Sequence, residues 1–187
     1  MALAAARMSA ADYLAAPESS PEHTELIDGT VVVHEPTLVH ARIQGLLYRR
    51  LWDWVDDAAR GRGYVSLPTD VLIDDRNVFA PDLWWVGEHR VPAEDQLHLD
   101  GVPDLVVEIR SPSTWGRDLS IKLPAYEAAG VAEAWYVDTV ARTVLVFRRS
   151  QADASTFDVA TEVAGDDDLT SPLLAGFSLA LGAIFAG

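Results

Sequence analysis

DLVVEIRSPST, residues 104–114, decides the fold. Leu105, Val106, Val107 and Ile109 suit a strand buried on both faces, and Pro112 with its flanking hydroxyls closes it. Glu108 breaks the pattern, because a buried unpaired carboxylate costs several kcal/mol or takes up a proton. The two-residue period of a strand puts Asp104, Val106 and Arg110 on the same face as this acid. A central strand apolar on both sides belongs to a sheet covered on both faces.

Around that strand lies a chain of 187 residues, 49% of them hydrophobic. That length can bury a sizeable core and predicts one α/β domain over 1–187. No repeat or low-complexity tract divides it. There is no cysteine, which removes disulfides, thiol nucleophiles and cysteine-ligated zinc and suits a reducing, cytoplasmic setting. The opening MALAAARMSAADYLAAP is too short and too soon interrupted by Asp12 and Pro17 for a membrane span, and it lacks the basic leader and long apolar run of an export signal. No membrane partner is expected.

The formal net charge of −15 disfavours nucleic-acid binding through a broad basic surface. It leaves room for a local site at which divalent cations supply the positive charge. Of 14 basic residues, only Lys122 is a lysine. Either it survives by chance or it stands where a compact ammonium is required.

The remaining elements follow from local patterns. Ser9 with Asp12 resembles a capping box for a short helix ending before Pro17. ELIDGTVVV predicts a hairpin turning on Asp28-Gly29. Residues 38–59 predict the longest helix, with Ile43, Leu46, Leu47, Leu51, Trp54, Val55 and Ala58 on one face. Arg42, Arg49, Asp53 and Asp56 take the other face, a solvated surface first and a phosphate track second. Strands are expected near 64–73 and 78–86. A helix near 118–129 either kinks at Pro124 or begins its regular part only near Lys122, and Gly130 ends it. EAWYVD and TVLVFRR add two strands, the tail adds one near 156–163, and the apolar LLAGFSLALGAIF follows. The fold class is α/β: a mixed central sheet flanked by helices, with an N-terminal hairpin extension.

Asp82, directly after Pro81, is a second acid at the head of an apolar strand, 26 positions before Glu108. Each acid alone is as readily a turn cap or an arginine partner. Two carboxylates on neighbouring strands repel unless a hard cation lies between them, and Mg²⁺ is commonly held by one or two carboxylates plus waters and phosphate. Together with the single lysine they favour a metal site.

ELIDG, PDLWWV, PDLVVEIRSPST, the Asp118 to Lys122 spacing and YEAAGVAEAWYVD occur in the order that resembles the large bacterial family of Uma-type restriction-endonuclease-like proteins, within the PD-(D/E)XK nuclease superfamily. The likeness runs from about residue 9 to residue 186. It implies a restriction-endonuclease-like core and Mg²⁺-dependent hydrolysis of phosphodiesters, with Mn²⁺ as a substitute. By motif, Asp82 and Glu108 would be metal ligands, Glu25 a further acid of the metal site, and Lys122 the lysine that orients or deprotonates the attacking water. One departure stands out. The superfamily places its lysine two residues after the second acid, where this chain has Arg110, and Lys122 lies 14 positions beyond Glu108. An arginine can steady an anion but cannot act as a base.

Other residues are open to two readings. His40 either faces the cleft and touches phosphate or water or, as the simpler expectation, is a first-turn histidine bonded to solvent or backbone. Asp118 is either an ion-pair partner that positions Lys122 or part of a solvated face. Ser111, Ser113 and Thr114 are expected to cap the turn around Pro112. Trp84 and Trp85 must point to opposite faces, one into a core and the other free to stack on a base or bury in an oligomer contact. His23, His34, His89 and His98 lack paired ligand spacing, which disfavours a histidine zinc site. Three function classes follow: a Mg²⁺-dependent nuclease acting on DNA, favoured as a homodimer that pairs two active sites; a nucleic-acid or protein-binding module with little activity; and a metal-dependent hydrolase of a smaller phosphate ester.

Overall fold

In the computed structural model, which describes residues 7–16, 24–57, 61–112 and 114–186, the strand Leu105–Ile109 is buried along its whole length. Leu105, Val107 and Ile109 enter one core and Val106 enters another. The readings of Pro17, His23, Ala58 and Ser113 fall outside the described residues.

In chain order the elements are α1 (Ala10–Ala15), β1 (Thr24–Ile27), β2 (Thr30–Val33), α2 (Leu38–Asp56), β3 (Tyr64–Ser66), β4 (Asp70–Asp74), β5 (Asn77–Phe79), β6 (Leu83–Val86), a 3₁₀ turn (Glu88–Arg90), β7 (His98–Leu99) and β8 (Leu105–Ile109). Next come α3 (Trp115–Arg117), a π turn (Asp118–Lys122), α4 (Leu123–Ala129), β9 (Glu133–Asp138), β10 (Thr143–Arg148), β11 (Val159–Val163), β12 (Asp168–Thr170), β13 (Ser178–Ala180) and α5 (Leu181–Phe185). A six-stranded sheet runs β11-β10-β9-β8-β6-β3, and a five-stranded sheet runs β2-β1-β5-β4-β7. The larger sheet is mixed: β8 and β9 are parallel and its other pairs antiparallel.

Helix α2 lays Ile43, Leu47 and Leu51 on one face of the large sheet, beside Leu181, Ile184 and Phe185 of α5. On the other face Val106, Ala134 and Tyr136 meet Tyr126 of α4 and also Ile27, Val71 and Phe79 of the smaller sheet. The mixed sheet is thus flanked by helices, and its second face is shared between a helix and another sheet. The hairpin is present as read, with Asp28 at φ 48 and Gly29 at φ 70, but it continues through β5 into the five-stranded sheet rather than standing as an extension.

The stretches 64–73 and 78–86 are not single strands. Each divides at a proline, Pro68 or Pro81, which has no N–H to give to a ladder, and the halves enter different sheets. Ser9 caps α1 by accepting from the N–H of Asp12. Pro124 breaks nothing: the regular part of the helix begins at Leu123, leaving the proline in its first turn. Gly130 ends that helix at φ 96, as its position after Ala129 suggested. No helix among the described residues is long and apolar enough to cross a membrane.

Candidate active site

Strands β6 and β8 run antiparallel with Leu83 opposite Val107. Asp82 directly precedes Leu83 and Glu108 directly follows Val107, so the two acids lie at the same end of this strand pair, where the N–H of Ile109 reaches the Asp82 carboxylate. Above them, Asp118, Lys122 and Tyr126 recur at four-residue spacing along one side of the helical segment. Its π turn, closed by the N–H of Leu123 on the carbonyl of Asp118, is an irregularity often found at functional positions. The second sheet contributes Glu25 from β1.

Lys122 is fully buried, and its ammonium is the hub of these acids. Nζ lies 2.8 Å from Glu25 Oε1, 3.0 Å from Glu108 Oε1 and 3.9 Å from Asp118 Oδ1, over the ring of Phe79. The Tyr126 hydroxyl donates to Glu108 Oε1 at 2.6 Å. Glu25 also accepts from the N–H of Ala80 at 2.7 Å and pairs through Oε2 with His34 Nε2 at 2.5 Å. Asp82, 6% exposed, accepts from the N–H of Ile109 at 2.6 Å through Oδ2 and pairs with His40 Nε2 at 3.0 Å through Oδ1. The Gln44 side chain donates to the carbonyl of Asp82 at 2.9 Å.

Burial pushes the carboxyls of Glu25, Glu108 and Asp118 upward, and the outcome depends on what opposes it. At Glu25 burial is outweighed by Lys122 and by the charge and hydrogen bond of His34, which hold the carboxyl at about 2. At Glu108 burial prevails: Lys122 opposes it, but Asp118, Glu25 and Asp82 add repulsion, and the acid rises well above its ordinary 4.5. Asp118 is raised by burial despite Lys122 and a hydrogen bond from Thr114. Burial alone would lower Lys122, yet Glu108, Glu25 and Asp118 together raise it above its ordinary value. The result is a firmly charged ammonium, with more carboxylate around it than one cation neutralises.

Of the residues singled out in the sequence, the fold gathers Glu25, Glu108, Asp118 and Lys122 directly, with Asp82 and His40 beside them. His40 corrects the simpler reading: it is 4% exposed and bonded to Asp82, because Thr37 caps α2 by accepting from the N–H of His40 and so fixes the first turn at the mouth of the acids. Asp118 is buried rather than part of a solvated face. Thr114 and Ser111 are hydrogen-bonded at 2.7 Å, and Thr114 passes a bond of 2.8 Å to Asp118 Oδ2. Arg110 is turned elsewhere, gripping Asp138 at 2.8 and 2.9 Å and lying over Trp115. Arg42 is likewise committed, donating to the carbonyls of Ile184 and Ala186 at the end of the chain.

Three contributors were not singled out for the site. Tyr126 follows Lys122 at the helical spacing that also relates Lys122 to Asp118. His34 continues the face of Val32, which is paired with Glu25 in the hairpin. Gln44 stands one helical turn after His40.

Among the described residues no group of three or more His, Cys, Asp or Glu side chains is set to hold a metal ion. Mg²⁺ does not need one, since it is held by one or two carboxylates with water and substrate oxygens completing its octahedron. Hard oxygen donors gathered at the adjoining ends of β6 and β8 and a buried Asp118 Oδ1 without a hydrogen bond fit such an ion.

A family model described as "Uma2: Putative restriction endonuclease" matches residues 10–182. Among solved structures, the chain resembles the crystal structure of a putative nuclease belonging to DUF820 from Anabaena variabilis ATCC 29413, with a TM-score of 0.80 and 20% identity over 96% of this chain and 98% of that one. At that identity the likeness establishes the fold. No curated protein matches.

Proposed function

The chain belongs to the Uma2 family, described as "Putative restriction endonuclease", and on that premise we propose that it is a divalent-cation-dependent endonuclease that hydrolyses phosphodiester bonds of DNA. The observation that carries this reading is the meeting of Asp82 and Glu108 at one end of the β6–β8 pair, with the sole lysine of the chain 3.0 Å from Glu108. Asp82 and Glu108 would hold Mg²⁺, or Mn²⁺ in its place, with Glu25 behind them. A bound divalent cation supplies charge to a phosphate oxygen and lowers the pKa of a bound water, the two requirements of hydrolysis at neutral pH.

The side chains have separate tasks. Lys122, raised by its three acids, serves as an ammonium that orients water or a phosphate oxygen and is poorly suited to act as a base. Tyr126 and Lys122 fix one oxygen of Glu108, and the N–H of Ile109 and His40 fix both oxygens of Asp82. The two carboxylates are thereby aimed before any substrate arrives, which is what preorganisation requires. The buried Nδ1 of His40 has no hydrogen-bond partner in the protein. With the protein's net charge of −15, affinity for nucleic acid should depend on the divalent ion rather than on a basic surface. A homodimer that cuts both strands of a duplex in the cytoplasm is the matching assembly and setting.

The test is cleavage of plasmid and single-stranded DNA by wild type and Glu108→Gln across a titration of Mg²⁺ and Mn²⁺. We expect metal-dependent cutting by wild type, abolished in the variant. Cation binding without cutting of any nucleic acid would sink the nuclease reading.

A further inference from the structure

The single lysine stands on an irregular stretch of helix. From Trp115 to Ala129 the backbone passes through α3, the π turn and α4 without a break, and Lys122 is the last residue of the π turn. Were this one regular helix, Pro124 would lie in its interior, with no N–H for the carbonyl of Ser120 and its ring against that carbonyl. The π turn removes the conflict. The N–H of Leu123 bonds back to the carbonyl of Asp118, five residues rather than four, and α4 starts afresh with the proline in its first turn.

A second donor holds the same carbonyl. Tyr136 of β9 is the register partner of Glu108 on the parallel strand β8 and is fully buried. Its hydroxyl donates to the carbonyl of Asp118 at 3.2 Å. A carbonyl has two lone pairs, and this one accepts from both Leu123 and Tyr136. The tyrosine ring is fixed by edge-on contacts with Trp115 of α3 at 6.2 Å and Phe147 of β10 at 6.0 Å. Burial raises the phenol well above its ordinary 10, so the hydroxyl keeps its proton and stays a donor. The tyrosine that bonds Glu108 itself is Tyr126, which leaves Tyr136 with the backbone.

A turn closed five residues back holds one residue more than a regular turn, and this changes the angle at which the next side chains leave the helix axis. At the angle found here, Lys122 Nζ meets Glu25 at 2.8 Å and Glu108 at 3.0 Å. We propose that Pro124 and Tyr136 are positioning residues for Lys122: the proline excludes the regular helix, and the tyrosine hydroxyl pins the π turn to the strand beside Glu108. Both act through the lysine. The inference rests on the nuclease reading only for the task that Lys122 performs once it is aimed.

The lysine itself reports the outcome. Because it is the only one in the chain, protein labelled with ¹⁵N-lysine gives a single side-chain ammonium resonance, and its burial slows exchange with water. Pro124→Ala restores an N–H with the best helix former, and Tyr136→Phe keeps the packed ring while deleting the donor. In metal-free protein, we expect the ammonium resonance to shift in each variant, with thermal melts confirming that both are folded. Metal-dependent cleavage of DNA should fall about tenfold or more in kcat with KM little changed, the pattern of a misaimed group rather than a lost substrate contact. An unchanged ammonium resonance in either folded variant would overturn the proposal. A wild type that cuts nothing, with the resonance displaced in both variants, loses only the nuclease reading. A wild type that cuts, with the resonance unmoved in the variants, loses only the positioning role.

Discussion

Lys122 Nζ lies 3.0 Å from Glu108 Oε1 in the interior of the protein, both side chains buried. The pair explains how a carboxylate is tolerated on a strand that is otherwise apolar. Glu108 does not stand alone in the core; it shares the only lysine of the chain with Glu25. The arrangement stays incomplete, because Asp118 and Asp82 add negative charge that the one ammonium cannot balance, and that residue of charge is what a divalent cation would satisfy.

Removing the cation should therefore cost far more than losing a surface ion pair. Lys122→Met leaves Glu25 and Glu108 facing each other without compensation, and breaking a buried pair on one side costs about 3–5 kcal/mol. Urea unfolding at neutral pH should show that loss. A change below about 1 kcal/mol, the scale of an exposed pair, would mean that the lysine is not buried between its acids in solution.

Tyr126→Phe keeps the ring and deletes the donor 2.6 Å from Glu108 Oε1. Stability should fall by about 1.5–3 kcal/mol, the range for a hydrogen bond to a charged group. Glu108 loses a donor that favours its charged form, so its proton affinity rises further and the acid limb of the pH–rate profile for DNA cleavage should move to higher pH. An unchanged profile with unchanged stability would remove Tyr126 from the machinery.

The pH dependence of stability separates the two glutamates. Glu25 is held at about 2, below its ordinary 4.5, so its contribution is present above 4.5 and fades as pH falls toward 2. Glu108 is raised well above 4.5, so the folded state binds its proton more tightly than the unfolded chain does. That contribution is present below 4.5 and is lost as pH rises through the folded value. Glu108→Gln removes the second effect. In metal-free buffer, wild type should lose stability relative to Glu108→Gln as pH rises from 4.5, and parallel profiles by urea midpoint would contradict the shift.

Much of this molecule follows from local patterns, and its exceptions have local causes too. The alternation of Leu105, Val107 and Ile109 against Val106 and Glu108, the face of Ile43, Leu47 and Leu51, and the turn at Asp28-Gly29 all depend on near neighbours, and each appears as its spacing dictates. The division of 64–73 and 78–86 between two sheets does not, because the halves on either side of Pro68 or Pro81 carry the same strand pattern and only tertiary pairing tells them apart. The site divides along the same line. Asp82, Glu108 and Lys122 were legible as acids and a lysine out of place, whereas the bond from His34 to Glu25 and the turn of His40 onto Asp82 required knowing where the hairpin and α2 dock. Arg110 shows the converse: parallel pairing of Ile109 with Val137 brings it beside Asp138, a partner no spacing in its own strand could reveal.

That placement of Arg110 bears on the choice between the two cations near Glu108. Lys122→Arg preserves the charge but puts a planar fork where a compact ammonium meets two carboxylates at 2.8 and 3.0 Å. The guanidinium cannot take that geometry without pushing the acids apart. Cleavage by Lys122→Arg should fall by at least about a hundredfold, the scale expected when a positioned charge in an active site is misplaced. Arg110→Ala removes a grip on Asp138 that lies apart from the acids, so it should retain most of the cleavage rate and lose only modest stability, since the Arg110 side chain is 29% exposed. Metal-dependent rates on plasmid and single-stranded DNA for both variants, with thermal melts confirming that each is folded, decide the matter. Full activity in folded Lys122→Arg together with a dead Arg110→Ala would reverse the assignment and return the lysine's task to the position two residues after Glu108.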